Sequence, residues 1–465
     1  MSSSQLHQIT FFPSLLFSYP TPTPTIFQQA AATQHRYSQK PISTTNCSHS
    51  LLSTPMASSS FLLPLSLALL CLLSAPSSAY KSSLTLPVTK DHSTHQYFTT
   101  LSYGTPVEAA NFVLDLGGSS LWVDCASRTA PSASLSPIFH RSVRCLTAKG
   151  PEIETHRWLS SLANPVDQDQ ACQIPAENSI TGKRVGEGEL VEDLFQPAHQ
   201  LLFTCSPTLL LNGLAAGAKG MVGLDRSRTS FSSQVFHTLG TQRKITLCLS
   251  PSSGVVQFGN VAHESQPGSE ILRSLTFTPL LTNPDQNHPS INVNSVKING
   301  KKVSFDAPLG GGAQLSTVVP YTTLQTSIFA NFESAYLKAA SILNMSRVSP
   351  VSPFGLCFSS NGVGSSQMGP NVPVIDLVLQ SEMVKWSIHG RNSMVQVSED
   401  VMCLGFVDGG ENPRNPIVIG GYQLEDVLVQ FDFDTSMVGF SPSLLTRHAS
   451  CSDFKSGSSA QPISV

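Results

Sequence analysis

Asn111-Phe112-Val113-Leu114-Asp115-Leu116-Gly117-Gly118-Ser119-Ser120-Leu121-Trp122-Val123-Asp124-Cys125 sets a carboxylate directly after an apolar run and before two glycines. An aspartate at the end of a buried strand is costly unless a neighbour satisfies it or a reaction uses it. Apolar residues resume at Leu121-Trp122-Val123, so the stretch reads as strand, tight loop and strand, with Asp115 at the bend.

Outward from that loop, short alternating segments bounded by Gly, Pro, Asn or Asp recur. The spacing predicts a β-hairpin from Leu428 to Phe440, turning at Asp434-Thr435-Ser436, and a second from Val384 to Val397, turning near Gly390. A helix is expected to open at Pro320 and to place Leu324, Ile328, Phe332 and Tyr336 four apart. Hydrophobic residues make up 40% of the 465 positions and charged ones 12%, with Gly 31 and Pro 32, against roughly 25% charged in ordinary soluble chains. That composition excludes coiled coils and helical bundles and predicts a mostly β chain with a few short helices. Its length exceeds one hydrophobic core, so two or three domains or one bilobal unit are expected. The balance of 27 basic against 30 acidic residues, net -3, lacks a basic run, and no nucleic-acid partner is expected.

Residues 1–79 carry no Asp or Glu and only Arg36 and Lys40. Met56, the apolar run Phe61–Leu73 and the small residues ending at Ala79 read as a secretory signal, so 56–79 is expected to be a signal peptide. The run falls short of the roughly 20 residues that span a bilayer. Residues 1–55 are read as an extension ahead of the true initiator Met56, with a plastid-type transit peptide as the alternative. The expected mature chain has 25 basic and 30 acidic residues and eight cysteines, an even number that points to disulfides in an exported protein. Asn344-Met345-Ser346 is a glycosylation sequon. Residues 455–465 are expected to fray.

The handles of other chemistries are missing: no G-x-S-x-G, H-E-x-x-H, G-x-x-x-x-G-K, G-x-G-x-x-G or C-x-x-C occurs. No cofactor or metal is expected. The histidines are scattered among polar residues, and surface or turn positions are expected for each.

The Asp115 loop resembles the first active-site loop of pepsin-like aspartic proteases, Asp-Thr-Gly-Ser between an apolar strand and a Trp-containing one, with Leu116 and Gly118 replacing Thr and Ser. Such enzymes use two carboxylates, one from each lobe, sharing a proton around one water. The resemblance places the second loop at Gln314-Leu315-Ser316-Thr317-Val318-Val319-Pro320, where Ser316 occupies the position of the second Asp. It also implies a flap bearing a Tyr, yet no Tyr occurs between Tyr103 and Tyr321, and Gly188–Asp193 is the expected flap region. Asp306 is read as a solvated loop residue and not as a substitute acid. The chain is therefore expected not to be an enzyme.

Gly220–Leu224, Leu275–Pro284, Pro353–Phe358, Ile375–Gln380 and Ile417–Gly421 extend the match from about Tyr97 to Cys451. Together they resemble the plant xylanase inhibitors, xyloglucan-specific endoglucanase inhibitors and extracellular dermal glycoprotein, a pepsin-fold family without protease activity. The seed globulins are close relatives. The resemblance implies a bilobal pepsin-like fold with lobes at 80–268 and 269–454. It implies the pairs Cys125–Cys205, Cys248–Cys451 and Cys357–Cys403, while Cys145 and Cys172 are open to pairing with each other or remaining free. It further implies a secreted, apoplastic monomer that binds a fungal or bacterial glycoside hydrolase through second-lobe loops. Arg414, in the turn-rich loop Asp408–Pro416, is the leading expected contact, and Arg347 a second beside the sequon at Asn344. An active aspartic endopeptidase and a seed-globulin-like storage or binding protein are the alternatives.

Overall fold

Phe112–Leu114 and Leu121–Val123 are buried throughout, because both segments lie inside one crossed arrangement of strands. The strand Glu108–Asp115 runs parallel to Ala218–Gly223, with Asp115 opposite Gly223. After the loop, Leu121–Val123 returns antiparallel to that same strand and parallel to the end of His199–Cys205. Gly223 is obligatory here: a Cβ would sit 2.4 Å from the Gly118 carbonyl oxygen and 2.6 Å from that of Ser120. The computed structural model of the protein describes residues 83–454 except 151–169, 197, 261–268, 284–285, 307–308 and 310–311. The expectations for 1–55, 56–79 and 455–465 lie outside the described residues.

The second half repeats this crossing. Ala313–Leu315 runs parallel to Ile417–Ile419, and Thr322–Leu324 returns antiparallel to it and parallel to Phe406–Asp408. This corrects the expected helix start. Thr323 and Leu324 have ladder partners on both sides, which hold Thr322–Leu324 as strand, and the helix begins only at Thr326. It runs to Ile342 and buries Phe329, Phe332, Tyr336, Ala339 and Ala340, an i, i+3, i+7, i+10, i+11 stripe against the sheet.

A six-stranded antiparallel platform joins the halves in the order Leu84–Lys90, Ser253–Phe258, Lys244–Leu249, Leu428–Asp432, Met437–Phe440 and Thr276–Asn283. The hairpin expected at Leu428–Phe440 supplies two of these strands, its turn fixed by Asp432 Oδ1 accepting from the Asp434 and Thr435 amides. The hairpin expected at Val384–Val397 does not form. Val384–Ile388 pairs instead with Ile375–Ser381, a short helix spans Gly390–Ser393, and Met394–Ser398 pairs with Val401–Leu404. Gly390 serves close packing and not a turn, since a Cβ there would lie 2.0 Å from the Pro370 carbonyl oxygen.

All eight described cysteines are bonded: Cys125–Cys205, Cys145–Cys172, Cys248–Cys451 and Cys357–Cys403. The open question over Cys145 and Cys172 thus ends in a mutual bond.

Candidate functional site

Asp115 ends its strand almost wholly buried. Its Oδ1 accepts from the Gly117 amide at 2.9 Å and its Oδ2 from the Ser179 hydroxyl. Burial holds its carboxyl above the ordinary carboxylate range; the bonds from Ser179 and Gly117 pull the other way. In the second crossing Ser316 follows Ala313–Leu315 directly, and its Oγ accepts from the Val318 and Val319 amides at 3.3 and 3.1 Å. Next to it, Thr317 Oγ1 donates to the Leu114 carbonyl at 2.6 Å and accepts from the Leu116 amide at 3.2 Å. The two loops therefore interlock through one hydroxyl, and Leu116 has none to return. A lone carboxylate cannot divide the base and acid roles that a carboxylate pair shares.

The flap expectation needs correction. The hairpin that reaches Asp115 is Gln173–Asn178 paired with Lys183–Gln196, and its tip is 179–182. Asn178 builds the turn: its Oδ1 accepts from the Ile180 and Thr181 amides, and its Nδ2 donates to the Leu210 and Asn212 carbonyls. Asn178 followed by Gly182 was the legible signal for that turn. Gly188–Asp193 lies along the returning strand, where Asp193 pairs with Arg128 at 3.4 Å and Glu192 with Arg144. Indole Nε1 of Trp122 donates to the Glu177 carbonyl at 3.0 Å, pinning the hairpin over the Asp115 loop.

His288 lies half-buried within the strand Gln286–Ile291 and departs from the expected surface or turn placement. A Cβ at Gly117 would lie 2.7 Å from its Nδ1 and 3.0 Å from Nε2 of Gln314, so both side chains cover the loop beside Asp115. Gln314 in turn accepts from Asn415 Nδ2. Beside Asn415, Arg414 Nη1 lies 3.3 Å from Glu177 Oε1 of the flap hairpin. Arg414 thus borders the cleft of Asp115 and already has an acidic partner. Its loop is tied down by Asp408 Oδ1, which accepts from Thr326 Oγ1 and the Gly410 amide, and by Gln325 Nε2 donating to the Glu411 carbonyl. Arg347 lies elsewhere, 3.6 Å from Glu333 of the long helix. Exposed Asn344 follows that helix with a left-handed φ of 55°. Asp306 is exposed and accepts from Asn331 at 3.2 Å. Among the described residues no group of three or more His, Cys, Asp or Glu side chains is arranged to hold a metal ion.

Sequence reasoning missed Asp225, although it too follows an apolar run. It is buried, its oxygens accepting from the Ser227 amide at 2.7 Å and the Ser227 hydroxyl at 2.9 Å, and its own amide donates to the Gly118 carbonyl. Burial, with the charge of Asp115 adding, pushes its carboxyl up to about 8 from 3.8. Because the folded value is the higher one, the folded state holds a proton that the unfolded chain has released between those values. Stability from this group is therefore full below about 3.8 and lost as pH rises towards 8. Asp225→Asn keeps both Ser227 bonds without a titrating charge. It is expected to be more stable than the parent by about 2 kcal/mol at pH 8, with the gap closing towards pH 4. Urea unfolding of both proteins across that range checks this, and a gap that does not change with pH defeats it.

Comparison with known proteins gives two adjoining family matches. The xylanase inhibitor N-terminal model matches residues 97–260 and the xylanase inhibitor C-terminal model residues 290–442. The chain is 41% identical over 406 residues to the probable aspartic proteinase GIP2 of Nicotiana benthamiana, covering 80% of this chain and 91% of that protein. It is 38% identical over 399 residues to gamma conglutin 1 of Prunus dulcis, covering 82% and 91%. Among solved structures it is similar to the crystal structure of EDGP, with TM-score 0.72, 39% identity and coverage of 81% and 98%. Conglutin gamma from lupine seeds follows with TM-score 0.68, 31% identity and coverage of 80% and 98%.

Proposed function

The chain belongs to the xylanase-inhibitor family of pepsin-fold proteins, and from that premise we propose that it is a secreted, non-catalytic member that inhibits a microbial cell-wall glycoside hydrolase. The observation that carries the non-catalytic part is the pairing of Asp115 with the flap's own Ser179, while the second crossing strand leads into Ser316, a side chain that does not ionise. Ser316 stands in this reading for the missing second carboxylate. Secretion is supported by the signal-like segment at 56–79 and by four disulfides, which persist in oxidising compartments.

Arg414 is the proposed inhibitory contact. A planar guanidinium can address both oxygens of a carboxylate, and in a retaining glycanase it could bridge an acid and a nucleophile about 5 Å apart. Arg414→Ala is expected to weaken inhibition by about 2 to 4 kcal/mol, and Arg414→Lys to recover only part. Arg347, ion-paired to Glu333 and near the sequon at Asn344, is the weaker second contact.

The deciding experiment mixes the secreted protein with fungal xyloglucanase and xylanase and also assays it on denatured protein substrates from pH 2 to 6. Glycanase inhibition without proteolysis supports the reading. Pepstatin-sensitive cleavage would return the chain to the active proteases, and absence of both activities would favour a storage role like that of the seed globulins it resembles.

A further inference from the structure

The guanidinium proposed to enter the target's cleft is already engaged. Arg414 Nη1 lies 3.3 Å from Glu177 Oε1, with the two side chains 62% and 28% exposed. One nitrogen faces the flap hairpin while most of the group stays open to water. Glu177 cannot readily withdraw: its carbonyl accepts from Trp122 Nε1, its cross-strand partner is Arg184, and the next residue, Asn178, builds the hairpin turn. On the other side, Asn415 is bonded to Gln314, which fixes the reach of Arg414. The ion pair therefore joins the first-half flap to a second-half loop across the cleft.

We infer that Glu177 is an internal stand-in for the target's carboxylate, holding Arg414 and latching the flap until a partner's carboxylate displaces it. This rests on the proposed inhibitory role of Arg414 and adds its regulation. An incoming carboxylate approaches the exposed face of the guanidinium and competes with Glu177 for it. Engagement therefore weakens the hairpin's tie to the second half and leaves its first-half anchors, Ser179 on Asp115 and Trp122 on the Glu177 carbonyl, in place. Exchanging one carboxylate partner for another makes apparent affinity the difference between two similar pairs. Exposed ion pairs are weak, so the latch tunes inhibition without abolishing it.

The test uses Glu177→Gln, which keeps the shape and a hydrogen-bonding oxygen but removes the charge. Against a glycanase that the parent inhibits, Glu177→Gln is expected to tighten inhibition about two- to fivefold at low salt, with the gain shrinking in high salt. In the Arg414→Ala background the same change is expected to do nothing. In the free protein, hydrogen exchange at the Ile180, Thr181 and Lys183 amides is expected to quicken to a similar extent in Glu177→Gln and Arg414→Ala, a readout that needs no target. If Arg414→Ala weakens inhibition but Glu177→Gln fails to tighten it, Glu177 orients Arg414 and the inference is overturned. If Arg414→Ala inhibits like the parent, the proposed contact at Arg414 fails, and if no glycanase is inhibited, the proposed function fails instead. The exchange measurement then decides the latch alone: quickening in both variants upholds it, and unchanged exchange in either removes it.

Discussion

Glu425→Ala is expected to destabilise the fold by about 3 to 5 kcal/mol, the cost of leaving a buried charge without its partner. Glu425 Oε1 lies 2.5 Å from Lys90 Nζ and accepts from the Tyr97 hydroxyl at 2.8 Å. The side chains of Lys90 and Glu425 are only 9% and 2% exposed, so neither charge is screened as a surface pair is. Lys90 also stands over the Tyr97 and Tyr422 rings, 5.5 and 5.9 Å from their centroids. Burial first, and then the Glu425 charge, raise the Tyr97 hydroxyl well above its ordinary range, so it remains a donor throughout the working pH range. Removing the carboxylate strands the ammonium ion and leaves the tyrosine hydroxyl only the Gly421 carbonyl at 3.5 Å. Lys90→Met combined with Glu425→Gln should therefore cost clearly less than the sum of the single changes, because no isolated charge remains. Urea unfolding at pH 7 measures Glu425→Ala, the two single changes and their combination. A loss below about 1 kcal/mol for Glu425→Ala would place this pair with surface ion pairs and sink the argument.

That contact also marks the limit of what could be read from sequence. The strand, loop and strand around Asp115 were legible because apolar runs, glycines and a carboxylate lie within fifteen consecutive residues. The hairpin at Leu428–Phe440 was legible for the same local reason, since its turn is written between its strands. Lys90 and Glu425 are 335 residues apart, and no periodicity relates them. The helix start was misplaced because Leu324 is apolar and correctly spaced, yet it is buried by strand partners from 406–408 and 417–419. The flap expectation falls on the returning strand because the acids of 188–193 stand out in the sequence, whereas the turn residues Asn178 and Gly182 set the tip. Glu192 and Asp193 proved to be partners of arginines. Arg414 is singled out in the sequence by a turn-rich loop at the place the family resemblance points to, but its pairing with Glu177 depends on how the two halves meet, which neither segment encodes alone.

The Cys248–Cys451 bond closes the longest of the four loops, spanning 203 residues, and its loss is expected to cost most among the disulfides. The chain-entropy model assigns such a loop about 5 kcal/mol, and measured values commonly fall at 2 to 5. Cys357–Cys403 shortcuts 46 residues of it, which trims only about 0.2 kcal/mol because closure entropy grows as the logarithm of length. Native contacts should persist without the bond. Both cysteines are buried with Ile271, Leu275, Leu428 and Leu444, Cys248 lies opposite Leu428 in the platform, and Asp426 Oδ1 accepts from the Cys451 amide. Cys248→Ala with Cys451→Ala thus acts chiefly by freeing the unfolded chain. The short 27-residue loop of Cys145–Cys172 provides the control. By the same logarithm, the long-loop double variant should lose about 2 kcal/mol more than Cys145→Ala with Cys172→Ala. Urea unfolding of both double variants against the parent compares them directly. Equal losses would mean that the long bond stabilises by packing at the C-terminus and not by loop closure.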